Sequence, residues 1–192
     1  MAHTCTATLL LYDSIARDDI PAIKTLLDGK QAPINVQDTS GYTPLHYAVK
    51  LQHLDAAALI LKYSPDVNFR CSYDIGYATP LITAAALNNT KLVLMLLELD
   101  AMVNATDKRG KTALHFASQW CNTEAIEALV DYGVDVSVRD DFGFTAAYYG
   151  GQVKGGSKIT TADVRPYRLE YLKENPIVDR RKKKRRAARK SK

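Results

Sequence analysis

Cysteine is scarce in this sequence, and the three present, Cys5, Cys71 and Cys121, stand far apart. An odd, scattered count gives neither a disulfide framework nor the paired spacing of a zinc site. It points to a reducing compartment. Long apolar runs are missing too: stretches such as Ala56–Leu61 fall well short of a bilayer span. The apolar residues Leu9–Leu11 lack a basic flank and run into Ser14, Arg17, Asp18 and Asp19, so they read as part of a helix and not as a signal peptide. No glycine loop ends in Gly-Lys-Ser or Gly-Lys-Thr, and the glycines of 150–156 follow no strand, so a phosphate cradle is excluded. No cysteine neighbours a plausible base in sequence, and the acids Asp18, Asp38, Asp107, Asp140 and Asp141 fall where turns and helix caps use them. Nothing here assembles a catalytic site, and no cofactor or metal is expected.

The 192 residues are 46% hydrophobic and 24% charged, an ordinary globular balance of about one domain's length. The net charge of +5 conceals two unlike parts. Residues 180–192 hold ten of the 26 basic residues and none of the 21 acids, so residues 1–179 carry −5 and the remainder +10.

The clearest positive signal is internal repetition. The block Asp38-Thr39-Ser40-Gly41-Tyr42-Thr43-Pro44-Leu45-His46-Tyr47-Ala48 returns as Asp107-Lys108-Arg109-Gly110-Lys111-Thr112-Ala113-Leu114-His115-Phe116-Ala117. It decays in Asp140-Asp141-Phe142-Gly143-Phe144-Thr145-Ala146-Ala147. Gly110 to Gly143 is 33 residues, and Thr79-Pro80-Leu81 lies 33 before Thr112-Ala113-Leu114. Closing markers recur as Asn35, Asn68, Asn104 and Ser137, with an extra three residues between Asn68 and Asn104 that fall within 70–78. Gly41, Gly110 and Gly143 suit a turn with positive φ. Thr43 and Thr79 suit a helix cap, with Pro44 and Pro80 in the first helical position. A short alanine-rich helix, a polar break and a second helix follow. Leu92, Val93, Met95, Leu96 and Leu97 give one second helix its apolar stripe, and Ala125, Ile126, Ala128, Leu129 and Val130 another. Gly29 and Gly133 read as helix stops.

Thr43-Pro44-Leu45-His46-Tyr47-Ala48, the 33-residue period and the closing Gly133-Val134-Asp135-Val136 resemble ankyrin repeats. The resemblance covers about residues 6–152 and implies an all-α solenoid of helix-turn-helix units with hairpin loops. The units are 6–37, 38–70, 71–106, 107–139 and a partial 140–152, in an ankyrin-repeat domain of residues 1–152. Residues 153–178 are expected to hold a loop, beginning in the glycines from Gly150, and a capping helix at Pro166–Lys173. Residues 179–192 form a basic disordered tail. Departures from the pattern are Ile82 in the histidine position, Ala113 for proline, the insertion, and Ala146, Ala147 and Tyr148 in the last unit.

The resemblance implies a non-catalytic protein–protein interaction module, an adaptor, scaffold or inhibitor, that binds a partner protein on a concave face. In that family His46 and His115 tie the turn to the helix. The partner-binding positions on the inner helices are Tyr47, Lys50, Leu51, Thr83, Leu87, Phe116, Gln119, Trp120, Tyr149 and Gln152. On the hairpin tips they are Tyr42, Tyr73, Ile75, Arg109, Phe142 and Phe144. Aromatics are enriched at interface hot spots, and the single tryptophan makes Trp120 the foremost candidate. Tyr47 and Phe116 equally fit plain packing between inner helices. Asn68, and less closely Asn104, resemble the family's asparagine-hydroxylation sites, against the alternative of a hairpin asparagine bonding backbone. The stretch Ile159–Lys173 is the one unassigned place for an enzyme-recruiting box.

Arg180, Arg181, Lys182, Lys183, Lys184, Arg185, Arg186, Arg189 and Lys190 form the basic tail. It fits a nuclear-localisation signal, phosphate neutralisation on RNA or DNA, docking on an acidic protein, or a solubility tail. Nuclear and/or cytoplasmic residence follows, without a membrane or a small-molecule substrate. The alternative is a ribonucleoprotein component whose tail holds RNA while the repeats hold a protein.

Overall fold

The computed structural model of the chain describes residues 2–151, which are helical apart from turns and two isolated antiparallel bridges, Thr106 with Thr112 and Arg139 with Thr145. Gln152, the expected capping helix at 166–173 and the basic residues 180–192 lie outside the described residues. Five inner helices, α1 (Ala2–Ala16), α3 (Pro44–Lys50), α5 (Pro80–Ala86), α7 (Ala113–Gln119) and α9 (Ala146–Gly151), stack side by side. Four outer helices, α2 (Ile20–Asp28), α4 (Leu54–Lys62), α6 (Thr90–Glu98) and α8 (Thr123–Asp131), form a second row behind the first four. The core lies between the rows. Leu45, Leu81 and Leu114 face inward from the inner helices, and Ile60, Leu92, Leu96 and Leu129 from the outer ones. Ala48, Ala84 and Ala117, all buried, let neighbouring inner helices approach closely.

The short helices are defined at their ends. Thr43 and Thr79 accept the N–H of His46 and Ile82 at 3.4 Å, and Pro44 and Pro80 open their helices. Asp19, Asn89 and Asn122 cap α2, α6 and α8 through their carboxylate or amide oxygens. Asp18, one of the acids expected in turns and caps, takes φ +55 in the turn ahead of the cap. The same left-handed position between helices is held by Gln52, Asn88 and Cys121. A second left-handed residue follows each outer helix: Lys30, Ser64, Asp100 and Gly133. Gly29, expected to be the stop of α2, therefore keeps φ −72, and Lys30 after it makes the reversal. The glycines expected to open a loop differ as well. Gly150 and Gly151 stay helical in α9 because α9 packs along α7, with Gly150 buried.

Gly41, Gly110 and Gly143 take φ of +83, +73 and +80 at the hairpin tips. Gly41 is required twice over, since a side chain there would strike Ser72 of the next tip. The three-residue insertion folds as a 3-10 turn, Tyr73–Ile75, and does not break the tip-to-tip register. Ser72 N–H donates to the Gly41 carbonyl at 3.0 Å, Lys108 N–H to Gly76 at 2.9 Å, and Asp141 N–H to Arg109 at 3.0 Å.

Candidate functional site

The tips are held against the inner helices by one repeated bond. His46 Nε2 meets the Ala78 carbonyl at 3.1 Å, and His115 Nε2 meets Phe144 at 3.2 Å, each carbonyl belonging to the next unit's tip. Nδ1 of each ring faces a threonine hydroxyl, Thr43 at 2.7 Å and Thr112 at 2.9 Å, and His115 Nδ1 also accepts the Thr112 N–H at 3.1 Å. With Nδ1 accepting, Nε2 carries the proton and donates, so both rings are neutral and structural. Burial lowers the pKa of His46 to about 4 and that of His115 below its ordinary value. Both imidazoles serve the fold.

Tyr12 performs the same task for the first unit, its hydroxyl donating to the Tyr42 carbonyl at 2.7 Å. The third unit has Ile82 at this place and no ring to reach across. Other bonds run between the tips there. The Arg70 guanidinium donates to Tyr77 at 3.1 Å and also to the Thr106 carbonyl of the following unit. Lys108 Nζ returns the contact by donating to the Asp74 carbonyl at 3.1 Å. The Arg70 bonds are not peculiar to this unit: Gln37, at the matching position, donates to the Arg70 carbonyl at 3.1 Å, and Arg139 to Gly143 at 2.7 Å.

On this frame the inner-helix and tip side chains form a continuous row. All thirteen of Tyr42, Tyr47, Lys50, Tyr73, Ile75, Leu87, Arg109, Phe116, Gln119, Trp120, Phe142, Phe144 and Tyr149 are at least partly exposed. Trp120 is 54% exposed, and Tyr73 and Phe142 66% each. Tyr47 and Phe116 are half-buried against the core, so they pack and present an edge at once. Trp120 is less free than its position implies: its indole N–H donates to the Ala86 carbonyl at 2.9 Å, where α5 ends.

The aromatic rings gather in three places, each with a cation. The Arg70 guanidinium lies 4.7 Å from the Tyr77 ring centre, beside Tyr73. Lys50 Nζ lies 4.2 Å from the Tyr42 ring centre, beside the Tyr12–Tyr47 edge contact. Lys111 Nζ lies 4.1 Å from Tyr149 and 5.7 Å from Phe116, next to the stacked pair Phe144–Tyr148. The Tyr149 hydroxyl donates to Asp140, which raises the tyrosine's pKa to about 12. Burial alone would raise the Asp140 pKa. Hydrogen bonds from Tyr149 and from the N–H groups of Phe144 and Phe142 outweigh it and hold the carboxyl below its ordinary range.

Tyr12, Arg70, Lys111 and Tyr148 belong to this side and escaped the sequence reading as site residues, whereas Tyr77 lies in the inserted loop 71–77, which the sequence singles out as a further binding candidate. Tyr148 stands 33 residues after His115, where the repeat places histidine, and Tyr12 lies 34 before His46, one residue out of that period. Arg70 stands two residues after Asn68, as Gln37 does after Asn35 and Arg139 after Ser137. Asn35, Asn68 and Asn104 each accept a backbone N–H of the next unit, from Asp66, Met102 and Asp135, so the closing asparagines staple neighbouring units. Among the described residues no cluster of His, Cys, Asp or Glu has the makings of a metal site, and no helix is long and apolar enough to cross a membrane.

A family profile for ankyrin repeats in three copies matches residues 3–71 and 66–140. Among known proteins, the human neurogenic locus notch homolog protein 2 is 36% identical over 137 residues, 71% of this chain and 5% of that protein. The neurogenic locus notch homolog protein 1 of Xenopus laevis is 37% identical over 140 residues, 72% of this chain and 5% of that protein. The human notch homolog protein 1 is 33% identical over the same length. The chain therefore spans only a small part of these relatives.

Proposed function

The chain belongs to the ankyrin-repeat family, a family of protein–protein interaction modules, and from that premise we propose that it is a non-catalytic adaptor whose concave face grips one partner protein. The observation that carries this reading is the row of partly exposed rings on the inner helices and tips, with Trp120 bonded to the neighbouring unit. A rigid row of this kind loses little conformational freedom on binding, and its tyrosines and tryptophan supply large contact area. The solenoid arrangement makes each unit a separate contributor to one extended surface. The basic residues 180–192 act as an address to the nucleus or as an anchor on anionic partners, while the repeats choose the partner.

The test is an affinity capture from cell extract, read by mass spectrometry, with and without RNase. It compares the full chain, a chain with the ten basic residues of 180–192 replaced by glutamine, and a chain carrying Trp120→Ala with Phe142→Ala. One protein should survive RNase and loss of the basic residues, and should be lost from the chain lacking the two rings. Each ring should contribute at least about 1 kcal/mol. Associations that vanish with RNase or with the basic residues would make this a ribonucleoprotein component instead.

A further inference from the structure

Charge is sorted between the two rows of helices. The outer helices α2, α4, α6 and α8 carry six carboxylates against three lysines, and α8 has Glu124, Glu127 and Asp131 with no cation. Burial, then Asp131 and Glu124, raises the pKa of Glu127, as crowded like charges should. The inner helices carry one carboxylate, Asp13 of α1, which pairs with Arg17, and one lysine, Lys50. At the tips, Asp38, Asp107 and Asp140 are committed to N–H groups of their own turns. Three tip cations are likewise tied to backbone carbonyls: Arg70, Lys108 and Arg139. That leaves Lys50, Arg109 and Lys111. Among the described residues none of the three has a carboxylate within ion-pair reach. Lys50 and Lys111 stand over aromatic rings, which orient an ammonium without neutralising it.

Resting on the proposed concave binding face, we infer that the partner segment lying there is an acidic polypeptide. Its carboxylates meet Lys50, Arg109 and Lys111, and its apolar side chains lie against Phe116 and Tyr149. An unpaired cation beside an apolar ring favours a carboxylate next to an apolar residue, a pairing that a peptide supplies at short spacing.

The test selects a displayed library of short random peptides on the immobilised full chain. The selected peptides are then measured against three variants: Lys50→Gln, Arg109→Gln and Lys111→Gln together; Trp120→Ala with Phe142→Ala; and the chain with glutamine at the basic positions of 180–192. Circular dichroism melting checks that each variant folds, and Lys50→Gln alone serves if the triple variant does not. Enriched peptides should combine Asp or Glu with aromatic residues. They should lose affinity about tenfold on the triple variant and keep it when the basic segment is neutralised. Acidic peptides lost only with the basic segment would overturn the inference, since the acid preference would belong to that segment. Neutral or basic peptides that respond to the ring variant alone would also overturn it, while leaving the concave face intact. Peptides that respond to neither face variant would sink both readings. A uridine oligonucleotide whose binding falls in the triple variant would assign these cations to phosphate, and that too would overturn it.

Discussion

His46 and His115 carry the residue-scale argument. Each is neutral, buried and bonded at both nitrogens. In an unfolded chain a histidine takes a proton near pH 6.5, whereas folded His46 takes one only near 4. Above pH 6.5 both states are neutral and the contribution to stability is complete. As pH falls from 6.5 to 4 the unfolded chain binds a proton that the fold refuses, so stability drops, by about 3 kcal/mol at the bottom of that window for His46. His115 shifts in the same direction and adds to it. The urea midpoint should therefore fall between pH 7 and pH 5, with a smaller slope in a His46→Leu chain; equal slopes would show that His46 does not carry the effect. The structural role of these rings was legible from Thr43-Pro44-Leu45-His46 because the spacing from Thr to His is local. The indole bond of Trp120 to Ala86 was not, because it joins residues 34 apart across two units.

At the scale of elements, the helices and their order followed from the repeat, since cap, proline and apolar stripe lie within a few residues of one another. What escaped was the pairing of Arg70. Its guanidinium reaches the Thr106 carbonyl of the next unit, as Gln37 reaches the Arg70 carbonyl, and the Tyr77 carbonyl, as Arg139 reaches Gly143, contacts that sequence spacing does not display. Arg70→Ala should cost about 1–3 kcal/mol in urea unfolding, the penalty for removing a charged donor from backbone carbonyls. An unchanged urea midpoint would show that these bonds add nothing to stability. The same reasoning explains why α9 ran past its expected end: a pair of glycines reads as a loop by composition, but packing along α7 overrides propensity.

Residues 2–151 present two unlike sides, an acidic outer row and an aromatic inner row whose cations Lys50, Arg109 and Lys111 meet no carboxylate among the described residues. The solenoid was legible because period, motif and end marker agree over most of the chain. The partner was not, because specificity lies in combinations of side chains drawn from several units. Charge sorting emerged only once helices were assigned to rows. The central claim is that the inner row, and not the outer one, meets the partner. Site-specific photo-crosslinking in cells tests it most directly. A photoreactive residue is placed singly at Gln119 or Phe142 on the inner side, and at Lys62 or Lys91 on the outer side, all exposed. The account predicts a protein adduct of one common mass from the first two positions and none from the second two. Adducts confined to Lys62 and Lys91, or adducts at Gln119 and Phe142 that RNase removes, would contradict it.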